Sequence, residues 1–445
     1  MGFVVRNATL ADGRRRDVRV ADGAIDAVGS DLVAEHVVPA DGNLLLPGMV
    51  DVHVHFRQPG APHKETWASG SRSAAAGGVT TVVDQPNTDP ATVDGAAFDR
   101  KAALAADSLV NFGLNGGVTP GWDPSELFDR PLLALGEIFL ADSTGEMGIG
   151  PDLFAEAASA AAAAGVPLTV HAEDASLFDD TVRPDDGADG PTGAAADADA
   201  WSAYRRPEAE VAAVETAVEV VADAGGRGHV AHASTPDGID AANAGGLTCE
   251  VTPHHLFLSR EDLADLGTYG RMNPPLRDED RRRAVFERTV DPDGPVDVVA
   301  TDHAPHTRAE KETTLWDAPS GVPGVETALP LLLAAAARGE VEVERVRDLV
   351  ARNPAAIFDL PGKGTVDPGA DADLVLVDLD ETRTIRGEDL HSACEWTPFA
   401  GREGVFPRWT TVRGRVAYAA PDAALPAALA PGGRFGEPLG RNVRA

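Results

Sequence analysis

Cysteine is nearly absent from this 445-residue chain: Cys249 and Cys394 are the only two. Two thiols exclude a disulfide scaffold and a multi-cysteine zinc site. Lysine is almost as scarce, limited to Lys64, Lys101, Lys311 and Lys363. Nearly every role a lysine could play is thereby excluded. Positive charge as a whole is short: Lys plus Arg number 38 against 71 Asp plus Glu, a formal net charge of −33. Such a surface repels nucleic acid and anionic membranes. The acid is spread along the chain rather than gathered in a tail, which reads as a salt-adapted surface whose self-repulsion concentrated salt screens. No apolar run approaches the roughly 20 residues of a membrane helix, and MGFVVRNATLADGRRR does not read as a signal peptide. The expectation is a cytoplasmic protein acting on a small molecule, without nucleic-acid or membrane partners. A homo-oligomer is left open.

What is present is enough apolar residue, 43%, for a sizeable core. Residues 1–47 read as short strands with turn signals, a small antiparallel unit. From Met49 the pattern changes to β-rich runs separated by Ala-rich helical stretches. The runs are MVDVHVHF (49–56), VTTVVDQPN (79–87), VNFGLNGG (110–117), LLALGEIFLA (132–141), PLTVHAED (167–174), GHVAHAST (228–235), LTCEVTPHH (247–255) and VDVVATDHAPH (296–306). Eight such runs alternating with helices predict an α/β fold, a parallel (β/α)₈ barrel over 48–361. Strand patterns return after Asn353, so 1–47 and 362–420 are expected to pair into one flanking β domain. Residues 179–200 and the tail 421–445 read as surface loop.

Each barrel run ends in polar residues, at the strand end where such barrels keep their chemistry. His53 and His55 alternate on one strand face, so both can enter the barrel mouth. His171, His232 and Asp302 close three further runs. Any one of these histidines is equally well explained as a satisfied core residue. Together they read as a nitrogen–oxygen metal site of zinc type. Two metals would need a bridging anion, and strand four offers Glu137; Asp142 follows on the loop with the opposite parity. His229 should face away from His232 or pack deeper. His254 and His255 either support the site or serve the fold. His303 is structural, and His36, His63 and His391 belong to surface or loop.

PGMVDVHVHFRQPG, VTTVVDQPNTDP, VHAED, RPEAE, HVAHAST, CEVTPHHLFL, MNPPLR, ATDHAPHTRAEK, PGVETALPLLL, NPAAIFDL and GTVDPGADADLVLVDL, in that order, resemble the amidohydrolase superfamily and, within it, the dihydroorotases. The resemblance implies a metal-bearing barrel with a flanking β-sandwich-like domain. It also implies two zinc ions and reversible cyclisation of N-carbamoyl-L-aspartate to dihydroorotate in pyrimidine biosynthesis. Zinc-activated hydroxide would attack, with Asp302 as general acid and base. Substrate contacts are implied for His55, for Arg57 of an HxHxR pattern, and for Asn87, in QPNT where the family usually shows MPNT. They are further implied for Asn273, His306, Pro323 and Gly324. Asp142–Gly145 resembles a lid whose Ser143 and Thr144 hydroxyls touch substrate, although a rigid turn reads equally well. One departure stands out. Many dihydroorotases bridge their metals with a carbamylated lysine just before an IF pair, where this chain has Glu137. The alternatives are an allantoinase or hydantoinase-type enzyme and a non-catalytic dihydroorotase-like scaffold; the retained ligands disfavour the scaffold.

Overall fold

The computed structural model describes residues 2–143, 147–184 and 191–445. Its first strands are β1 (Phe3–Thr9), β2 (Arg15–Ala21), β3 (Ala24–Gly29), β4 (His36–Pro39) and β5 (Leu44–Pro47). Valines alternating with polar residues give β2 one buried side. Asp22 and Gly23, both at positive φ (51° and 87°), make the two-residue turn into β3. That is the turn whose twist suits a tight hairpin.

Eight parallel strands follow: β6 (Met49–Val54), β7 (Val79–Asp84), β8 (Asn111–Leu114), β9 (Leu135–Phe139), β10 (Leu168–His171), β11 (Gly228–Val230), β12 (Thr248–Val251) and β13 (Val298–Val299). They form arcs of three and five strands. Bridges Gly116↔Leu135 and Val54↔His303 join the arcs at both seams, so the eight make a ring. Strands β6 to β10 are buried along their whole length, as parallel strands covered on both faces must be. Ala-rich helices supply the cover. Pro151–Ala164 starts on a proline and ends at Gly165, whose φ of 69° suits a left-handed cap.

The chain then returns to the first unit. Strand β14 (Leu374–Val377) precedes a ribbon of β15 (Arg383–Thr384) and β16 (Glu403–Gly404), then β17 (Pro407–Val412) and β18 (Arg415–Ala419). One sheet runs β18-β17-β14-β5-β1-β2-β3, with β4 beside β1. Val5, Val18, Leu45, Leu374 and Trp409 share its core, so both chain ends build one unit.

Two segments differ from expectation. The tail is not surface loop throughout. Strand β8 meets β9 only at Gly116↔Leu135, which leaves its first amides open. The tail fills that edge: the Phe112 amide donates to Arg441 O, and the Val443 amide donates to Phe112 O. Strand β13 is only two residues long, and the rest of its run forms the loop that carries Asp302. Of 179–200, residues 185–190 lie outside the described residues. Among the described residues no helix is long and apolar enough to cross a membrane.

Candidate metal centre and substrate pocket

The polar ends of the barrel strands converge on Glu137. Its Oε1 lies 2.6 Å from His232 Nε2 and 3.0 Å from His171 Nδ1, and its Oε2 lies 3.2 Å from His53 Nε2. His55 Nε2 is 2.9 Å from Asp302 Oδ1, and His53 Nε2 is 3.6 Å from the same oxygen. Two sets of donor atoms thus form, His53–His55–Glu137 and Glu137–His171–His232, with Glu137 in both. All these residues are buried. Asp142, the alternative bridge, is excluded by position: its Oδ1 accepts the Gly148 amide at 2.7 Å on the loop.

A register slip brings Glu137 inward. Leu168 opposes Leu135, yet Val170 opposes Ile138, so β9 carries one extra residue at Gly136–Glu137. Bulges re-aim side chains beside active sites. Gly136, at φ 133°, makes this one possible; a Cβ there would meet Thr169 O at 2.2 Å. Three site residues also hold the left-handed backbone that non-glycine residues avoid: Arg57 at 59°, His232 at 35° and Asp302 at 45°. Such strain costs on the order of 1–3 kcal/mol each and persists only where the surroundings enforce it.

The outer partners of the histidines decide what their inner nitrogens offer. His53 Nδ1 faces Glu250 Oε1 at 2.6 Å, His171 Nε2 faces Glu173 Oε2 at 3.0 Å, and His55 Nδ1 faces Asn87 Oδ1 at 2.7 Å. All three partners are acceptors, so each outer nitrogen carries the proton and each inner nitrogen of a neutral ring is a bare lone pair. Those lone pairs face the Glu137 and Asp302 carboxylates, and buried His53 Nε2 has no hydrogen-bond partner. Acceptors turned on acceptors require a cation between them. The donor set therefore fits metal ions, with outer partners orienting the ligands as metal sites need. Without metal, protons supply the charge. Burial opposes protonation of His171, but Glu137 and Glu173 on either side push it up to about 9. Burial likewise works against ionised Glu137, yet His53 and His232 hold its carboxyl well below the usual range.

Three supporting residues escaped the sequence reading. Glu250 also takes His229 Nε2 at 3.2 Å, which places His229 deeper than the centre, as its spacing implied. Glu173 is clamped by Arg205, with Nη2 2.6 Å from Oε2, and Arg205 also donates to Asp142 O at 3.3 Å. Glu173 follows His171 by two in the run PLTVHAED, a parity signal that could have found it. Gln85 supports Glu137 from its amide side at 3.0 Å.

The cleft above the centre is walled by Arg57, Asn87, Asn273, Ser143, Ser320 and Gly321, among others. Asn273 accepts the Trp201 indole N–H at 3.0 Å and donates to Ser143 Oγ at 3.1 Å. Thr144 lies outside the described residues. Two expectations are corrected. Pro323 and Gly324 do not reach the wall; the Gly324 amide is spent on His303 Nδ1 at 3.1 Å, and Ser320 and Gly321 stand there instead. His306 stands behind Arg57: its Nε2 donates to Ser320 O at 2.9 Å, and its Nδ1 accepts from Lys64 at 3.1 Å. Burial first, then the charges of Arg57, Lys311 and Lys64, keep this ring neutral. His303 is structural. His255 is too, bonding Thr252 and Pro274 O; His391 is a loop residue but is half-buried against Glu326.

A ring of eight parallel strands with two histidine–carboxylate clusters sharing one ligand at its mouth defines a metal-dependent amidohydrolase barrel. Residues 42–188 match the family model described as Dihydro-orotase-like. A dihydroorotase of Halobacterium salinarum is 64% identical over 93% of this chain and 96% of that one; one of Methanosarcina mazei is 40% identical over 90% of each. The chain belongs to the dihydroorotase family, hydrolases that act on cyclic amides. Among solved structures, L-hydantoinase from Arthrobacter aurescens superposes with a TM-score of 0.88 at 28% identity over 99% of each chain.

Proposed function

We propose that this dihydroorotase holds two zinc ions bridged by Glu137 and reads its substrate through a carboxylate bound at Arg57. The bridge reading is supported by the two donor sets that share Glu137. His53, His55 and Asp302 would hold one ion; His171 and His232 would hold the other. Bound there, the metals supply Lewis acidity that makes water nucleophilic at neutral pH and polarises the ring carbonyl.

The chain's own residues do the rest. Asp302, on its strained loop at the mouth, accepts the proton of the attacking water and passes it to the leaving ring nitrogen. Ring closure of N-carbamoyl-L-aspartate runs the same transfer backwards. The Asn273 amide, fixed by Trp201 and Ser143, faces the ring, while Asn87 holds His55 and lines the cleft. The products belong to pyrimidine biosynthesis, a cytoplasmic setting.

The observation that carries the substrate is Arg57. Burial lowers its guanidinium only to about 10, so it stays cationic in the wall beside His55. A neutral cyclic amide offers such a charge carbonyl oxygens but no counter-ion, whereas the free carboxylate of dihydroorotate is one. Losing a buried charge-assisted partner costs about 2–4 kcal/mol of transition-state binding. Arg57→Ala should therefore depress kcat/KM for dihydroorotate roughly 30- to 1,000-fold, with zinc content unchanged. Equal turnover of allantoin and dihydroorotate by the native enzyme would overturn the assignment.

A further inference from the structure

Strands β7 and β8 contribute no residue to either donor set, yet they lie between the strand of His53 and His55 and the strand of Glu137. Two amide side chains fill the interval. Gln85, just past β7, and Asn115, just past β8, are buried. Gln85 Oε1 accepts the Glu137 amide at 3.0 Å and Asn115 Nδ2 at 3.1 Å. Gln85 Nε2 donates to Val52 O at 3.1 Å, one residue before His53, and Asn115 Oδ1 accepts the Ala134 amide at 3.1 Å. One side chain therefore ties the backbone before His53 to the backbone of Glu137.

The bulge explains why that tie is needed. An extra residue in a strand loses its place in the ladder, and a buried amide without a partner is costly. In β9 the neighbouring amides go to backbone: Leu135 to Pro167 O and Gly136 to Gly116 O. The Glu137 amide goes to Gln85 instead. An apolar side chain of the same length could fill the space but could not accept that proton.

We propose that Gln85 is a positioning residue for the shared carboxylate: it captures the amide freed by the bulge and thereby holds Glu137 where one side chain reaches both donor sets. The inference rests on Glu137 being the bridge. It concerns metal retention, so a purely structural Gln85 would move melting temperature without moving zinc affinity.

The test uses full-length protein, native and as Gln85→Met, Gln85→Glu and Glu137→Gln, with zinc affinity measured against a chromophoric chelator and melting followed in parallel. Buried beside backbone acceptors, the new carboxyl of Gln85→Glu stays protonated and can both accept from Glu137 and donate to Val52 O. Gln85→Met should bind zinc about 10- to 100-fold more weakly, the usual effect of losing an outer partner, while Gln85→Glu stays near native. Native affinity in Gln85→Met, or equal losses in both Gln85 variants that track melting, would overturn the proposal. If Glu137→Gln keeps two zinc ions, the bridge itself is wrong; if only Gln85→Met does, the bridge stands and the positioning role falls. Should Gln85→Met not fold, deuterium exchange of the Glu137 peptide in zinc-free native protein decides. Protection there supports the proposal, and rapid exchange overturns it.

Discussion

Glu137 is a carboxylate placed among three imidazoles, two of which, His53 and His171, have their outer nitrogens committed to carboxylates, and that commitment has a pH signature. In zinc-free protein His171 is raised from its ordinary 6.5 to about 9, against the pull of burial, by Glu137 and Glu173. A folded pKa above the unfolded one stabilises the fold fully below 6.5, and that contribution is lost as pH rises through about 9. Zinc held as proposed would occupy the same nitrogen and remove the dependence. Relative to the zinc-loaded form, the zinc-free protein should lose melting temperature between pH 6.5 and pH 9.5, and zinc binding at pH 7.5 should release protons. Calorimetry in buffers of different ionisation enthalpy measures that release; none at pH 7.5 would contradict the account. At this scale the residues that converge on the barrel mouth were legible, because His53, His55, His171, His232 and Asp302 are metal-binding types at strand ends. Their outer partners were not. Glu250 is an ordinary carboxylate until packing shows that it faces His53, and Glu173 is marked only by its parity with His171. The resemblance implies pocket roles for His306 and Gly324, and loop direction is not contained in a motif match. Packing turns one behind Arg57 and spends the other on His303.

Among the elements, the barrel strands announced themselves as apolar runs ending in polar residues, since burial on both faces leaves no alternation to confuse with a surface strand. The bulge in β9 left no such trace. Its cause is a glycine whose Cβ would strike Thr169 O, a contact between neighbouring strands that one strand's sequence does not contain. The bulge falls at Glu137, the position at which many dihydroorotases carry a longer modified lysine. The tail misled for a related reason. Its Pro, Gly and Ala composition reads as loop, but composition says nothing about an open strand edge elsewhere, and β8 has one. Strand β13 shrank to two residues because its run continues as the loop that carries Asp302.

Across the whole molecule the excess of acid becomes a stability term. A formal charge of −33 repels itself, and the screening length grows from about 3 Å at molar salt to about 30 Å at 0.01 M. Melting temperature and activity should both fall on dialysis to low salt and recover partly in potassium chloride; a melting temperature flat from low to molar salt would contradict a salt-adapted surface. A relative at 64% identity comes from Halobacterium salinarum. The central claim concerns the centre this surface encloses: a plain glutamate, needing no carbon dioxide to form, joins two metals in a dihydroorotase. The most direct measurement reloads metal-free native protein and Glu137→Gln with zinc in bicarbonate-free buffer and reads zinc per chain beside dihydroorotate hydrolysis. The account predicts two zinc ions and full turnover, indifferent to added bicarbonate, for the native protein. For Glu137→Gln it predicts at least one zinc ion lost and most turnover gone. Two tightly held zinc ions and near-native hydrolysis in Glu137→Gln would contradict it.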